Sequence, residues 1–116
     1  MCGLVGALAF KTSRFEITEP YVTAMRETIA HRGPDGAGTW ISPDQRVGLG
    51  FRRLSIIDLS EAASQPMSND DGTIRLCFNG EIYNHAEIRA DLTRLGETRW
   101  KTDHSDTEVI LRAFER

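Results

Sequence analysis

The scarcities in this sequence are its first guide. Cysteine occurs twice in 116 residues, at Cys2 and Cys77, too few for a disulfide framework and in keeping with free thiols in a reducing compartment. Long apolar runs are missing. The nearest, Leu4 to Phe10, has no basic residue ahead of it and falls short of both a signal peptide's apolar region and a membrane span of about 20 residues. The chain therefore reads as cytoplasmic, with no membrane contact. An excess of one charge is also lacking: 14 Lys and Arg face 17 Asp and Glu, for a net charge of −3, and the signs alternate along the chain. Nothing here offers a basic surface to nucleic acid. No internal repeat and no low-complexity tract is found.

What is present has the balance of a folded protein, 40% hydrophobic and 27% charged residues, in a length that suits one domain. Three helices are expected. One runs from about Glu19 to Ala30, with Pro20 in its first turn and Val22, Met25 and Ile29 as its apolar stripe. A second starts from the capping-box pattern Asn84-His85-Ala86-Glu87, continues through Ile88, Leu92 and Leu95, and closes at Gly96. A third starts from Ser105-Asp106-Thr107-Glu108 and runs to the end. Short β-prone runs lie between them, at Leu4 to Phe10, Gly38 to Ile41, Val47 to Phe51, Leu54 to Ile57 and Ile74 to Phe78. Asn69-Asp70-Asp71-Gly72 reads as a hairpin connection. The order of strand, helix, several strands and two helices predicts an α+β layered domain.

Cys2 is the first residue to consider for chemistry. Removal of Met1 would leave a thiol and a free α-amine on one residue, and an α-amine of reference pKa about 8 serves as a base near neutral pH. Taken alone, Cys2 reads as the start of a buried strand. Asn79-Gly80 alone reads as a turn, Asp106 as a favourable charge in the first turn of a helix, and Arg53 as a surface partner for a carboxylate. His31, His85 and His104 suggest no metal, since His31 ends a helix and His85 lies within a capping box. Neither cysteine has a second ligand at metal spacing. Cys77, between Leu76 and Phe78, reads as packing.

Six stretches in order change that balance: Cys2-Gly3, His31-Arg32-Gly33-Pro34-Asp35, Arg52 to Ser60, Gln65-Pro66-Met67, Asn79-Gly80-Glu81-Ile82-Tyr83-Asn84-His85, and Ser105-Asp106-Thr107-Glu108. Together they resemble the glutamine-hydrolysing domain of glutamine-dependent asparagine synthetases, a class II amidotransferase with an N-terminal cysteine nucleophile. The resemblance covers essentially residues 1–116. It implies an N-terminal-nucleophile hydrolase fold, an αββα sandwich, incomplete on its C-terminal side because the family's domain continues beyond the helix that starts at Asp106. An unpaired strand edge and an uncovered apolar face are then expected, leaving room for a homodimer.

The resemblance also assigns roles. Cys2 attacks the side-chain amide of glutamine, while the Asn79 amide and the Gly80 N–H stabilise the oxyanion. Arg53 grips the α-carboxylate, Glu81 and Asp106 hold the α-ammonium, and Leu54 and Ile56 complete the substrate-binding set. Arg32, Gly33, Pro34 and Asp35 form a loop that shapes the pocket. Phe51 stands where many relatives carry a histidine. Glutamine hydrolysis implies no cofactor; ATP and Mg belong to a synthetase half, and the sequence contains no Ser-Gly-Gly-x-Asp pyrophosphate loop. A synthetase domain or partner chain is therefore expected, with aspartate as the ammonia acceptor. Two other readings stay open: an amidotransferase domain serving another carboxylate, and an inactive remnant or interaction module.

Overall fold

The computed structural model describes residues 2–55 and 61–116. Its first layer is an antiparallel sheet of three strands, β1 (Gly3–Leu8), β2 (Gly36–Ile41) and β3 (Val47–Arg53), with β3 in the centre. The register pairs Gly3 with Arg52 and Leu8 with Val47 on one side of β3, and Gly36 with Arg53 on the other. The helix α1 (Glu19–Glu27) covers one face. The alternation in Val47-Gly48-Leu49-Gly50-Phe51 explains how it gets so close. A Cβ on Gly48 would lie 2.5 Å from the Val22 side chain, and one on Gly50 would lie 2.8 Å from Val5. Val22 and Ile17 fill that contact and are almost fully buried, which supplies the main apolar stabilisation of this half.

The opposite face of the sheet receives the second half of the chain. Arg75 stacks over the Trp40 ring at 5.4 Å, and Phe51 is 1% exposed. A hairpin of β4 (Met67–Ser68) and β5 (Arg75–Leu76) turns through 69–72, with Gly72 at φ 76°. The Asn69 side chain holds it, accepting from Ile74 N–H at 3.0 Å and donating to Thr73 Oγ1 at 3.0 Å. The helix α3 (Asp106–Phe114) packs on β4, and α2 (His85–Arg94) packs on α3.

Gly38 marks the closest approach of the two halves. A Cβ there would fall 1.9 Å from the Gln65 carbonyl oxygen, and backbone cannot give way as a flexible side chain can. Gly38→Ala should therefore destabilise the protein by about 2 kcal/mol or more. A thermal melt of Gly38→Ala within 1 °C of the unaltered protein would show that this contact is looser than described.

Several expectations are met and others corrected. Ser105 caps α3 as expected, its Oγ accepting from Glu108 N–H at 3.4 Å, and Gly96 follows α2 at φ 99°. Asn84 occupies the N-cap of α2 without a side-chain cap bond; its φ of −101° and ψ of 25° lie outside the extended region from which a cap reaches the N3 amide. The first helix stops at Glu27, where Thr28 Oγ1 bonds back to Met25 O at 2.7 Å, and a 3₁₀ turn (Ala30–Arg32) replaces its expected last turn. The strand expected from Ile74 to Phe78 is only Arg75–Leu76. Leu54 and Ser55 lie outside any strand, and residues 56 and 57 of that expected run fall outside the described residues. The edge strand β1 exposes Leu4 and Leu8 on the face away from α1.

Candidate active site

Cys2 lies directly before β1, and the register that sets Gly3 opposite Arg52 brings it beside Leu54. The Leu54 N–H donates to the thiol sulfur at 3.3 Å, and the sulfur lies 3.4 Å from Leu54 O. The 3₁₀ turn supports the same spot from behind, with Arg32 Nε donating to Cys2 O at 3.2 Å. Gly33 passes under β3 so closely that a Cβ would lie 2.3 Å from the Arg52 carbonyl carbon. Pro34 bridges to Arg53, Asp35 N–H donates to Arg53 O at 2.9 Å, and Asp35 Oδ2 accepts from Ser55 N–H at 2.8 Å. The 32–35 loop thus fixes the backbone of Cys2 and of Arg53 to Ser55. Its four residues do not line the cavity itself.

That cavity, of about 370 Å³, opens between the end of β3, the 78–83 segment and the start of α3. It gathers Cys2, Arg53, Leu54, Asn79, Gly80, Glu81 and Asp106, residues as far apart in sequence as 2 and 106. Ile56 lies outside the described residues. Asp106 is 7% exposed, and its Oδ2 accepts from Ile82 N–H at 3.0 Å, so the helix start and the 79–82 segment hold each other. Gly80 has Phe78 close by: a Cβ would lie 2.5 Å from the end of that ring, so a larger residue requires the ring or the segment to shift. Asn79, Gly80 and Glu81 are themselves exposed toward the opening.

Sequence reasoning left out part of the lining. Phe78 supplies apolar wall beside Phe51, whose place near the pocket was expected, Thr107 sits beside Asp106, and Tyr83 stands at the rim, 90% exposed. Gln65 also faces the cavity. It stood in a recognised motif, but its partners lie 13 and 42 residues away, which no local pattern reveals. The histidines are not part of the lining, and among the described residues no group of three or more His, Cys, Asp or Glu could hold a metal ion. Burial raises the Cys77 thiol to about 11, so it stays protonated near neutral pH. It too is absent from the lining. No described helix is long and apolar enough to cross a membrane.

A thiol at the N-terminal edge of a sheet thus lines one cavity with Asn79, Gly80, the Arg53 side chain and the acidic residues Glu81 and Asp106. The chain belongs to the glutamine amidotransferase domain family, whose pattern matches residues 1–116. It is 45% identical over 115 residues to the glutamine-hydrolysing asparagine synthetase 1 of Bacillus subtilis, covering 98% of this chain and 17% of that protein. With the glutamine-hydrolysing asparagine synthetase B of Escherichia coli it shares 37% over 115 residues, 99% of this chain and 20% of the relative. With the amidase chry2 of Gibberella zeae it shares 38% over 100 residues, 86% of this chain and 14% of the relative. The chain thus spans about a fifth or less of these relatives' lengths.

Proposed function

We propose that this domain hydrolyses glutamine to glutamate and ammonia through a thioester on Cys2, within an N-terminal-nucleophile αββα fold. The observation that carries the reading is the convergence of Cys2, Arg53, Asn79, Gly80, Glu81 and Asp106 on one cavity. With Met1 removed, the Cys2 α-amine takes the thiol proton as sulfur attacks the amide carbon of glutamine. The Asn79 amide and Gly80 N–H stabilise the tetrahedral oxyanion. The C–N bond breaks, the amine returns its proton to the leaving nitrogen, and ammonia departs. Water then attacks the thioester, releasing glutamate and restoring the thiol.

Arg53 orients the substrate through its α-carboxylate, with Glu81 and Asp106 on the α-ammonium; a zwitterion held at both ends enters in one direction. All of the chemistry is met by thiol, amine and water, so no cofactor is required. ATP and Mg belong to amidation of aspartate by a synthetase domain or partner chain. The residues of this cavity act on glutamine alone, so the acceptor is set elsewhere.

The test is a coupled assay for ammonia and glutamate from glutamine in the cytoplasmic-type reducing buffer the thiol needs. Equal amounts of the two products are expected. Arg53→Lys keeps the charge and loses the planar two-pronged contact, so KM for glutamine should rise about 30-fold while kcat changes little. An unchanged KM would remove Arg53 from the substrate grip.

A further inference from the structure

Phe78 immediately precedes Asn79, yet β5 ends at Leu76, so no strand answers the Phe78 backbone. A side chain does. Gln65 Oε1 accepts from Phe78 N–H at 2.6 Å, and Gln65 Nε2 donates to Phe78 O at 3.1 Å. The carboxamide stands in for one peptide of a neighbouring strand, offering the same donor and acceptor side by side. Its Nε2 also donates to Thr107 Oγ1 at 3.3 Å, at the start of α3. The backbone of Gln65 is itself fixed, because its carbonyl rests on Gly38 of β2.

We propose that Gln65 is the positioning residue for the oxyanion-stabilising pair, holding the 79–81 segment at its Phe78 end as Asp106 holds it at Ile82. The inference rests on the glutaminase reading above. An oxyanion donor contributes only if it already sits where the charge will develop. Gln65 reaches that pair through the Phe78 backbone, and its other bond is made at the Thr107 hydroxyl rather than at the Asp106 carboxylate. Its loss therefore raises the barrier to the chemical step and leaves ground-state binding of glutamine in place.

Gln65→Leu, made in the protein at its natural length, removes both bonds to Phe78 and the one to Thr107. It should lower kcat for glutamine about 30-fold with KM within about threefold of the unaltered protein. Alkylation of Cys2 by iodoacetamide forms no oxyanion, so its rate should be unchanged. Exchange of the Phe78 amide hydrogen should quicken at least about tenfold. Gln65→Glu keeps the acceptor for Phe78 N–H and loses the donor, so its kcat should fall between the two; it carries the test if Gln65→Leu does not melt cooperatively.

A kcat loss under about tenfold, a KM change as large as the kcat change, or slowed alkylation would overturn the positioning role. If the unaltered protein releases no ammonia, the glutaminase reading fails by itself. Phe78 exchange then decides the tether: faster exchange in Gln65→Leu upholds it, and unchanged exchange overturns it.

Discussion

Cys2→Ala is expected to release no measurable ammonia from glutamine, a loss of at least about a thousandfold relative to the unaltered protein. An amide is a poor electrophile, and neither the Asn79 amide nor the Gly80 N–H can attack it; in the proposed reaction both only steady the charge that the thiol's attack creates. The thiol is small, and among the described residues its hydrogen bonds are the two at Leu54, so the melting temperature should stay within about 2 °C. Cys77→Ala should keep full activity, since burial holds that thiol protonated and it lies off the cavity. Intact-mass measurement supplies the companion result, loss of Met1. A retained methionine would turn the Cys2 amine into an amide and leave the reaction without its base. Equal ammonia release from Cys2→Ala and the unaltered protein would rule out Cys2 as the nucleophile.

The second large effect is on stability. Arg112 is 1% exposed, donating to Asp70 Oδ2 at 2.8 Å and to Arg99 O at 2.6 Å, with Glu115 at 3.1 Å and Glu108 at 3.6 Å. Glu108 is equally deep and accepts from Lys101 N–H, Thr102 N–H and Thr102 Oγ1 at 2.6 to 2.8 Å. This cluster fastens the 99–105 segment and the 69–72 turn to α3, the helix that presents Asp106. Arg112→Met keeps the stem's packing but takes one cation away from three carboxylates, Asp70, Glu108 and Glu115, of which Glu108 is buried. A cost of about 3 kcal/mol or more follows, a fall in melting temperature of more than about 10 °C. The loss should shrink in the double variant with Glu108→Gln, which removes the charge of the buried carboxylate. A melt unchanged by Arg112→Met would show the cluster to be ornamental.

The same cluster sets the response to acid. The Arg112 and Lys101 hydrogen bonds hold Asp70 well below the usual carboxylate range, and hydrogen bonds from Arg99 lower Glu97 to about 2. A carboxylate whose pKa is lower folded than unfolded stabilises the fold at pH values above the unfolded value, about 4. That contribution is lost as pH falls through the folded value. Arg112→Met should therefore lose part of the melting-temperature decline between about pH 4.5 and 2 that Asp70 gives the unaltered protein.

The local elements were legible because their causes are local. Ser105 caps α3 through an amide three residues away, Gly96 takes the positive φ that ends α2, and the 69–72 turn closes a hairpin within its own residues. Where a competitor entered from elsewhere, the reading failed. Ile74 to Phe78 has strand composition throughout, but Gln65, from a different segment, claims Phe78 and ends the ladder. Glu108 stands where a capping box would send it back to Ser105 N–H, and instead it binds the Lys101 and Thr102 amides.

The candidate site divides the same way. Residue types and order identified Cys2, Arg53, Asn79, Gly80, Glu81 and Asp106 through resemblance, with the Gly and Pro of the 32–35 loop marking a fixed turn. That loop's contribution was not visible: it works from behind, through Cys2 O, Arg53 O and the Ser55 amide. By itself the sequence determined the chemical inventory, the Ser105 cap and the turns, since these depend on groups a few bonds apart. Only the tertiary structure decided which thiol lines a cavity, which side chains meet there and what holds the 78–82 segment. Those answers depend on packing between segments that chain connectivity leaves free of one another, such as Cys2 with Leu54 and Gln65 with Thr107.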